Sequence, residues 1–383
     1  MYLSAQERDR RYEAVRRLMD QEGMDVLLVM GTGAATGSPA YATGSFRYLT
    51  DFFIFSQYGI LVFFRQSEPI MLVPMEIQET FGRKYSWIED VRVSLDYTET
   101  VGLLLRERDL SGGRVGVISL ESLPARTYLG LRERISRAEF IDAPSLLLPL
   151  RFKKGEEEKQ LMEKAALMND GAYREVLARM RPGMREIEVA GILEGYQRSH
   201  GADKTFNLVF SGPFPRSKEG VPFEGLPWCP GIREIQNGDG VHMEITSAYG
   251  GYWNQLVRII SVGNRNDELV RFHEAAVATI GTGLKVLKQG VAAPAYVRAM
   301  AGTAERMGFR LTTPFGHFVG LDLIEGRVDA ESQVTMEPGI AWIIHPRLDD
   351  LKGTRIILWG ETYYMTEEGP LRLNKTDDTL HVL

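Results

Sequence analysis

The C-terminal half carries carboxylates and imidazoles, Glu244, His317 and Glu337 among them, of types that could do chemistry together, although their spacing alone does not group them. Gathered in a dry cleft they would move protons, because a carboxyl held away from water or beside a like charge has its pKa raised into the range of a general acid. The same trio is also a set of metal-ligating types. His242 precedes Glu244 by two residues, and in a strand that spacing puts both on one face, so His242 joins the candidate acid-base group. Trp253 precedes Gln255 by the same spacing. With Trp228 these two would line an aromatic pocket, since indole faces stack on planar ligands and attract cations. Trp342 and Trp359, also near these segments, read as core side chains of a sheet.

Strands and helices must position these groups. The segment GDGVHMEITSAYGGYWNQLVRIISVG reads as two strands turning at Gly250 and Gly251, where glycine permits the positive φ of a tight hairpin. Asn266, Asp267 and Glu268 open a helix that runs to Lys288, with acidic residues in the first turn facing the helix dipole. Ala292–Met307 reads as a second helix. A longer one begins after Gly155, with Leu161, Ala165, Leu167 and Met168 on or near its apolar stripe. Long helices mixed with hairpin signals make residues 149–383 an α+β domain. Upstream, the apolar runs MDVLLVM, YGILVFF, PIMLVP and RVGVISL alternate with helical stretches at Ile77–Lys84 and Pro124–Ser136. That alternation predicts an α/β domain over residues 1–148. Proline and glycine punctuate the boundary in PSLLLPLRFKKGEEE.

Composition narrows the function classes. A chain of 383 residues exceeds what one hydrophobic core usually serves, so two domains are expected. A net charge of -6 without a basic run argues against nucleic acid, whose binding rests on clustered Lys and Arg. No run of about 18 apolar residues is present, so no membrane span is expected. The opening segment reads as a charged amphipathic helix rather than a secretory signal. With the single cysteine Cys229 an internal disulfide is impossible, which suits a reducing compartment, and the cytoplasm is the expected location. Cys229 reads as a passive thiol. Gly31, Thr32 and Gly33 read as a turn rather than a dinucleotide fingerprint.

The segments GDGVHMEITSAYGGYWNQLVRI, PFGHFVGLD, TMEPGI and RIILWGETYYMTEEGP resemble the family of aminopeptidase P, prolidase, methionine aminopeptidase and creatinase. SFRYLTDFF resembles the N-terminal domain of that family, and RFKKGEEEKQLMEKA its domain junction. The resemblance implies a pita-bread fold for residues 149–383 and a homodimer. It further implies a site in which two aspartates, one histidine and two glutamates hold paired metals that activate a water. Carried over residue by residue, the set is broken. The first aspartate falls on Glu244 and the second on Gln255, a neutral amide where a carboxylate should bridge two cations. The histidine and first glutamate are retained as His317 and Glu337. The last glutamate falls on Gly360. A slip placing Glu361 there would turn its side chain to the opposite face.

Two further histidines of the peptidases are lost. One falls near Pro227 or Trp228 and the other near Ile324, although Glu325 follows as in the family and is a candidate substrate contact. Creatinase, a metal-free member, implies a catalytic histidine and two glutamates at Pro227 or Trp228, Val257 and Gly360, so creatine hydrolysis is not expected. Arg327 lies two residues from where creatinase binds its substrate carboxylate. Arg258 matches a family arginine and reads as half of an ion pair. His345, before Pro346, could replace a lost proton shuttle, but reads first as a hydrogen-bonded histidine in a strand-to-loop corner.

Three readings follow. The first is a metal-independent hydrolase or lyase acting on a C–N bond of a small molecule, with no cofactor, in an aromatic-lined pocket. Glu244, His317, Glu337 and His242 would do its chemistry, and Trp228, Trp253, Gln255, Arg327 and Glu325 would bind the substrate. The second is an Xaa-Pro peptidase working with a reduced metal site of Glu244, His317 and Glu337. The third is a noncatalytic ligand- or protein-binding descendant, since a fold alone does not fix function. The first is preferred, because half the family's ligand positions persist beside new aromatics.

Overall fold

A computed structural model describes residues 1–32, 44–118, 120, 123–143, 146–213, 231–312, 315–352 and 355–383. They divide into two units, Met1–Phe152 and Lys153–Leu383. In the first, the chain runs α1 (Ala5–Glu22), β1 (Val26–Thr32), α2 (Gly44–Thr50), β2 (Tyr58–Phe64), β3 (Ile70–Val73), α3 (Glu76–Tyr85) and β4 (Asp90–Val93). It continues through α4 (Tyr97–Arg106), β5 (Arg114–Ile118), α5 (Ala125–Arg134), β6 (Glu139–Asp142) and α6 (Leu148–Phe152). The sheet order is β4-β3-β2-β1-β5-β6, with the central strands antiparallel and the flanking pairs parallel. The apolar runs read from the sequence are these inner strands. Val26, Leu28, Val62, Leu72 and Val117 pack with Val101, Leu104 and Leu105 of α4 in one buried cluster, which makes this unit α/β.

The second unit begins with α7 (Glu156–Arg179), α8 (Glu186–Ser199), β7 (Lys204–Thr205), β8 (Leu208–Pro213), β9 (Asp239–Tyr249), β10 (Tyr252–Ser261), α9 (Asp267–Val286) and α10 (Ala293–Arg306). Short strands follow: β11 (Phe309–Thr312), β12 (Gly316–Phe318), β13 (Gly326–Arg327), β14 (Ala341–Ile344), β15 (Arg347–Asp350), β16 (Ile356–Leu358), β17 (Gly360–Thr366) and β18 (Gly369–Arg372). The main sheet has the order β13-β12-β14-β17-β10-β9-β7, with β8 on β9 and β18 on β17, and β11-β15-β16 form a smaller sheet. This is the α+β pita-bread architecture. The β9–β10 hairpin turns at Gly250 and Gly251, with φ of 59° and 85°. Asn266 caps α9 by accepting from the backbone N–H of Glu268 and Leu269. One face of the hairpin is fixed by packing: Met243, Ile245 and Leu256 join Val176 of α7 and Val189 and Leu193 of α8 in a buried cluster. No helix among the described residues is long and apolar enough to cross a membrane.

Candidate active site

Register decides which side chains meet on the face away from α7 and α8. Glu244 pairs with Val257 and Val257 with Gly360, while Thr246 pairs with Gln255. His317 lies opposite Ile343 on one side and Arg327 on the other. Side chains alternate along a strand and directly opposed residues share a face. Glu244 therefore shares its face with His242, Thr246, Trp253 and Gln255. His345 is in step with Ile343 and so faces the same way as His317. The two imidazoles meet edge to face, with centroids 5.2 Å apart. His242 lies flat on Phe210 of β8 at 4.5 Å.

A hydrogen bond links the two altered positions on the hairpin: Gln255 Nε2 donates to Glu244 Oε2 at 2.9 Å. Glu244 stays partly exposed, yet the surrounding protein raises its carboxyl to about 7, because desolvation disfavours the charged form; the bond from Gln255 pulls the other way. His317 is lowered to about 4 by burial, against the opposing pull of the Phe318 and Leu323 carbonyls. His345 is lowered to about 3 by burial and by its neighbours His317 and His242. Both imidazoles are therefore neutral at pH 7. The expectation of a hydrogen-bonded His345 is corrected, because neither its Nδ1 nor its Nε2 has a partner. Gln255 Oε1 and Thr246 Oγ1 are likewise buried without a hydrogen bond. Each such atom costs about 1–3 kcal/mol of desolvation that the protein does not recover.

Gly360 is required by the backbone. Its φ is 154°, and a Cβ built on it would lie 1.6 Å from the carbonyl oxygen of Ile344. No side chain fits where the family carries its last glutamate. Glu361 does not substitute for it, because it pairs with Leu256 and Ile344 in register and lies on the helix-packed side. There Arg258 Nη2 reaches its carboxylate at 2.8 Å and Arg372 Nη2 at 3.0 Å. Burial alone would raise the Glu361 carboxyl, but these two guanidinium groups hold it below its ordinary value.

Two candidate site residues are tied elsewhere. Glu325 forms a buried ion pair with Lys154 at 2.6 Å, both side chains being 1% exposed, so it has no carboxylate to offer a substrate. Glu337 pairs with Lys153 on a half-exposed part of the chain. Trp253 is buried beside Gln255, and Arg327 is exposed on the edge strand β13. Trp228 lies outside the described residues, as does Cys229. Trp342 stacks on Tyr363, and Trp359 packs beneath the Arg258 guanidinium and against His273. Both serve the core. Thr246 was not singled out from sequence, although period-two spacing from Glu244 put it on the right face.

This donor set does not fit a pair of metal ions. One ligand position has no room for a side chain, and another is an amide whose Nε2 donates to Glu244. Among the described residues no group of three His, Cys, Asp or Glu side chains is arranged to hold a metal.

Residues 160–367 match the model of metallopeptidase family M24, and residues 11–153 that of the creatinase/prolidase N-terminal domain. The chain belongs to metallopeptidase family M24. Uncharacterized peptidase YqhT of Bacillus subtilis (strain 168) is 28% identical over 273 residues, 68% of this chain and 73% of that protein. Ectoine hydrolase of Halomonas elongata is 25% identical over 283 residues, 67% of this chain and 68% of the relative. The solved structure of an Xaa-Pro dipeptidase from Bacillus anthracis superposes with a TM-score of 0.82 at 22% identity, covering 98% of this chain and 100% of the other, a likeness of fold. Both curated relatives carry hydrolase-type names, and the chain is a hydrolase-type member of the family.

Proposed function

We propose that this chain is a metal-independent hydrolase that cleaves a C–N bond of a small molecule on the face of β9, β10 and β14 away from α7 and α8. The observation that carries the reading is the Gln255–Glu244 hydrogen bond, formed where paired metals would otherwise need two carboxylates. It gives Glu244 a neutral amide as its partner. The carboxylate of Glu244 takes a proton from a water whose oxygen bonds to the substrate carbon. As the C–N bond breaks, the carboxyl returns that proton to the departing nitrogen. A carboxyl poised near neutrality suits both halves of this exchange. Neutral His317 borders the reacting group together with His242, Trp253 covers an apolar part of the substrate, and Arg327 offers its exposed guanidinium to a carboxylate.

The test is release of amine or ammonia from small amides, amidines and cyclic ureides, assayed before and after chelation. Turnover is expected to survive chelation, and Glu244→Gln is expected to lower kcat by about 10²–10⁴-fold. Activity that vanishes with chelator and returns with Mn or Co on Xaa-Pro dipeptides would replace this reading with a reduced-metal peptidase.

A further inference from the structure

Two buried polar side chains on the face away from α7 and α8, Gln255 and His345, end in hydrogen-bonding atoms that lack a partner among the described residues. Gln255 is 2% exposed and His345 5%. The amide of Gln255 donates to Glu244 at 2.9 Å, but its Oε1 accepts nothing. His345 has no hydrogen bond at either ring nitrogen. Buried polar atoms are nearly always paired in folded proteins, so a group of them on one face calls for an outside partner.

The strand order sets these two residues on either side of Gly360. Gln255 belongs to β10 and His345 follows β14, and β17 runs between those strands. Val257 pairs with Gly360, so Gln255 lies diagonally across from Gly360 on one flank. His345 follows the Ile344–Glu361 pair and borders Gly360 on the other, its Cα standing 3.1 Å from where a Cβ on Gly360 would be. Two strand spacings, about 10 Å, separate the strands carrying the two side chains; Thr362 stands directly across from Gln255 with its hydroxyl bonded to the Gln255 backbone, and Gly360, opposite Val257, adds no side chain of its own.

We propose that Gln255 and His345 form a slot, floored by Gly360, for an uncharged amide- or urea-type group of the substrate. Gln255 Oε1 can only accept, so the ligand must bring an N–H. A neutral imidazole brings one N–H and one lone pair, so the ligand must also bring a carbonyl oxygen or a second N–H. An amide, lactam or cyclic urea carries both in one plane. A carboxylate lacks the donor and an ammonium lacks the acceptor. A group held here has its C–N bond beside the Glu244 carboxyl, which Gln255 already contacts. The slot rests on the metal-independent reading for its chemistry, though binding itself does not require turnover.

Ethyleneurea and its N,N′-dimethyl derivative, which has no N–H, are the probes. Titrated into the chelator-treated full chain, ethyleneurea is expected to bind saturably and the dimethyl derivative at least about tenfold more weakly, as for loss of one buried hydrogen bond. His345→Phe should weaken ethyleneurea by a similar factor. His345→Asn, which keeps a donor and an acceptor, should hold affinity within about threefold. In case His345→Phe misfolds, the wild-type chain labelled with ¹⁵N in its six histidine rings provides a second readout, in which ethyleneurea shifts the His345 resonances. Equal binding of both probes, unchanged affinity in a folded His345→Phe, or a His345 resonance that does not move would each overturn the slot. Metal-free hydrolysis that His345→Phe leaves intact would overturn it while sparing the hydrolase reading. Probe binding that His345→Phe abolishes, in a chain that hydrolyses nothing, would support the slot and sink that reading.

Discussion

The two faces of the β9–β10–β17 sheet treat buried polar groups in opposite ways. On the side packed by α7 and α8, Asn169 donates to Asn254 Oδ1 at 2.9 Å and accepts from Ser247 and Gln197 at 2.7 and 2.8 Å. Glu361 is held there by Arg258 and Arg372. Some atoms on that side are also unsatisfied, the indole N–H of Trp342 and of Trp359 and the Nε of Arg258 and Arg372 among them, but both guanidinium groups are bonded through Nη2 and the carboxylate and amides are paired. On the other side, among the described residues, an amide oxygen, a hydroxyl and an entire imidazole lack partners, and burial raises a carboxyl to about 7. The same strands supply both, so folding does not require that face to be left unsatisfied. Polar groups that complete one another serve the fold, and those that remain incomplete are the ones the proposed ligand would complete.

The contrast can be broken first where its cost is largest. Arg258→Met leaves Glu361 buried with Arg372 as its one remaining cation and the Tyr363 hydroxyl as a donor, and removal of one partner from a buried pair costs about 3–5 kcal/mol. Denaturant unfolding should show that loss; less than about 1 kcal/mol would mean the closed face is not held by its ion pairs. Gly360→Ala comes next. Its backbone clash and positive φ should cost about 2–4 kcal/mol, and Gly360→Glu should not recover metal binding. A stable Gly360→Glu chain that takes up manganese would mean the backbone at this position adapts.

A smaller effect depends on pH. Folding raises the Glu244 carboxyl from its ordinary 4.5 to about 7. Between those values the folded chain holds a proton that the unfolded chain has released, so stability falls as pH rises through the window and is lowest above 7. Glu244→Gln carries no such proton. Its stability relative to the wild type should rise by on the order of 2 kcal/mol from pH 4.5 to 8, and a difference that stays flat would mean the carboxyl is not perturbed. The smallest effect belongs to Glu337→Gln. A half-exposed pair with Lys153 should contribute less than about 1 kcal/mol, and turnover should be little changed. A large loss of activity would return Glu337 to the site.

Much of this was legible because the elements that carry it announce themselves. The β9–β10 hairpin has its two glycines and its alternation, α9 has its Asn266 cap, and α7 has its apolar stripe. The short strands β11, β15 and β16 were not, since FRLT and RLDD lack alternation and take their partners from distant chain. Alternation put His242 with Glu244 and Trp253 with Gln255, but it was silent on which carboxylates were free. Lys154 meets Glu325 from 171 residues away, and only the fold brings them together. His345 looked ordinary because burial without a partner is a property of the assembled face. Gly360 could be aligned from sequence, whereas the clash that excludes any side chain there needed the register of β17 against β14.

Metal content bears most directly on whether the face away from α7 and α8 works without metals. The chain would be purified without chelator, loaded in turn with Mn, Co, Zn or Fe, desalted, and analysed for bound metal. Less than about a tenth of an equivalent after each loading is the expected result. About two tightly held ions per chain would contradict it, because no pair of metals can be retained by a ligand set with an amide at 255 and no side chain at 360.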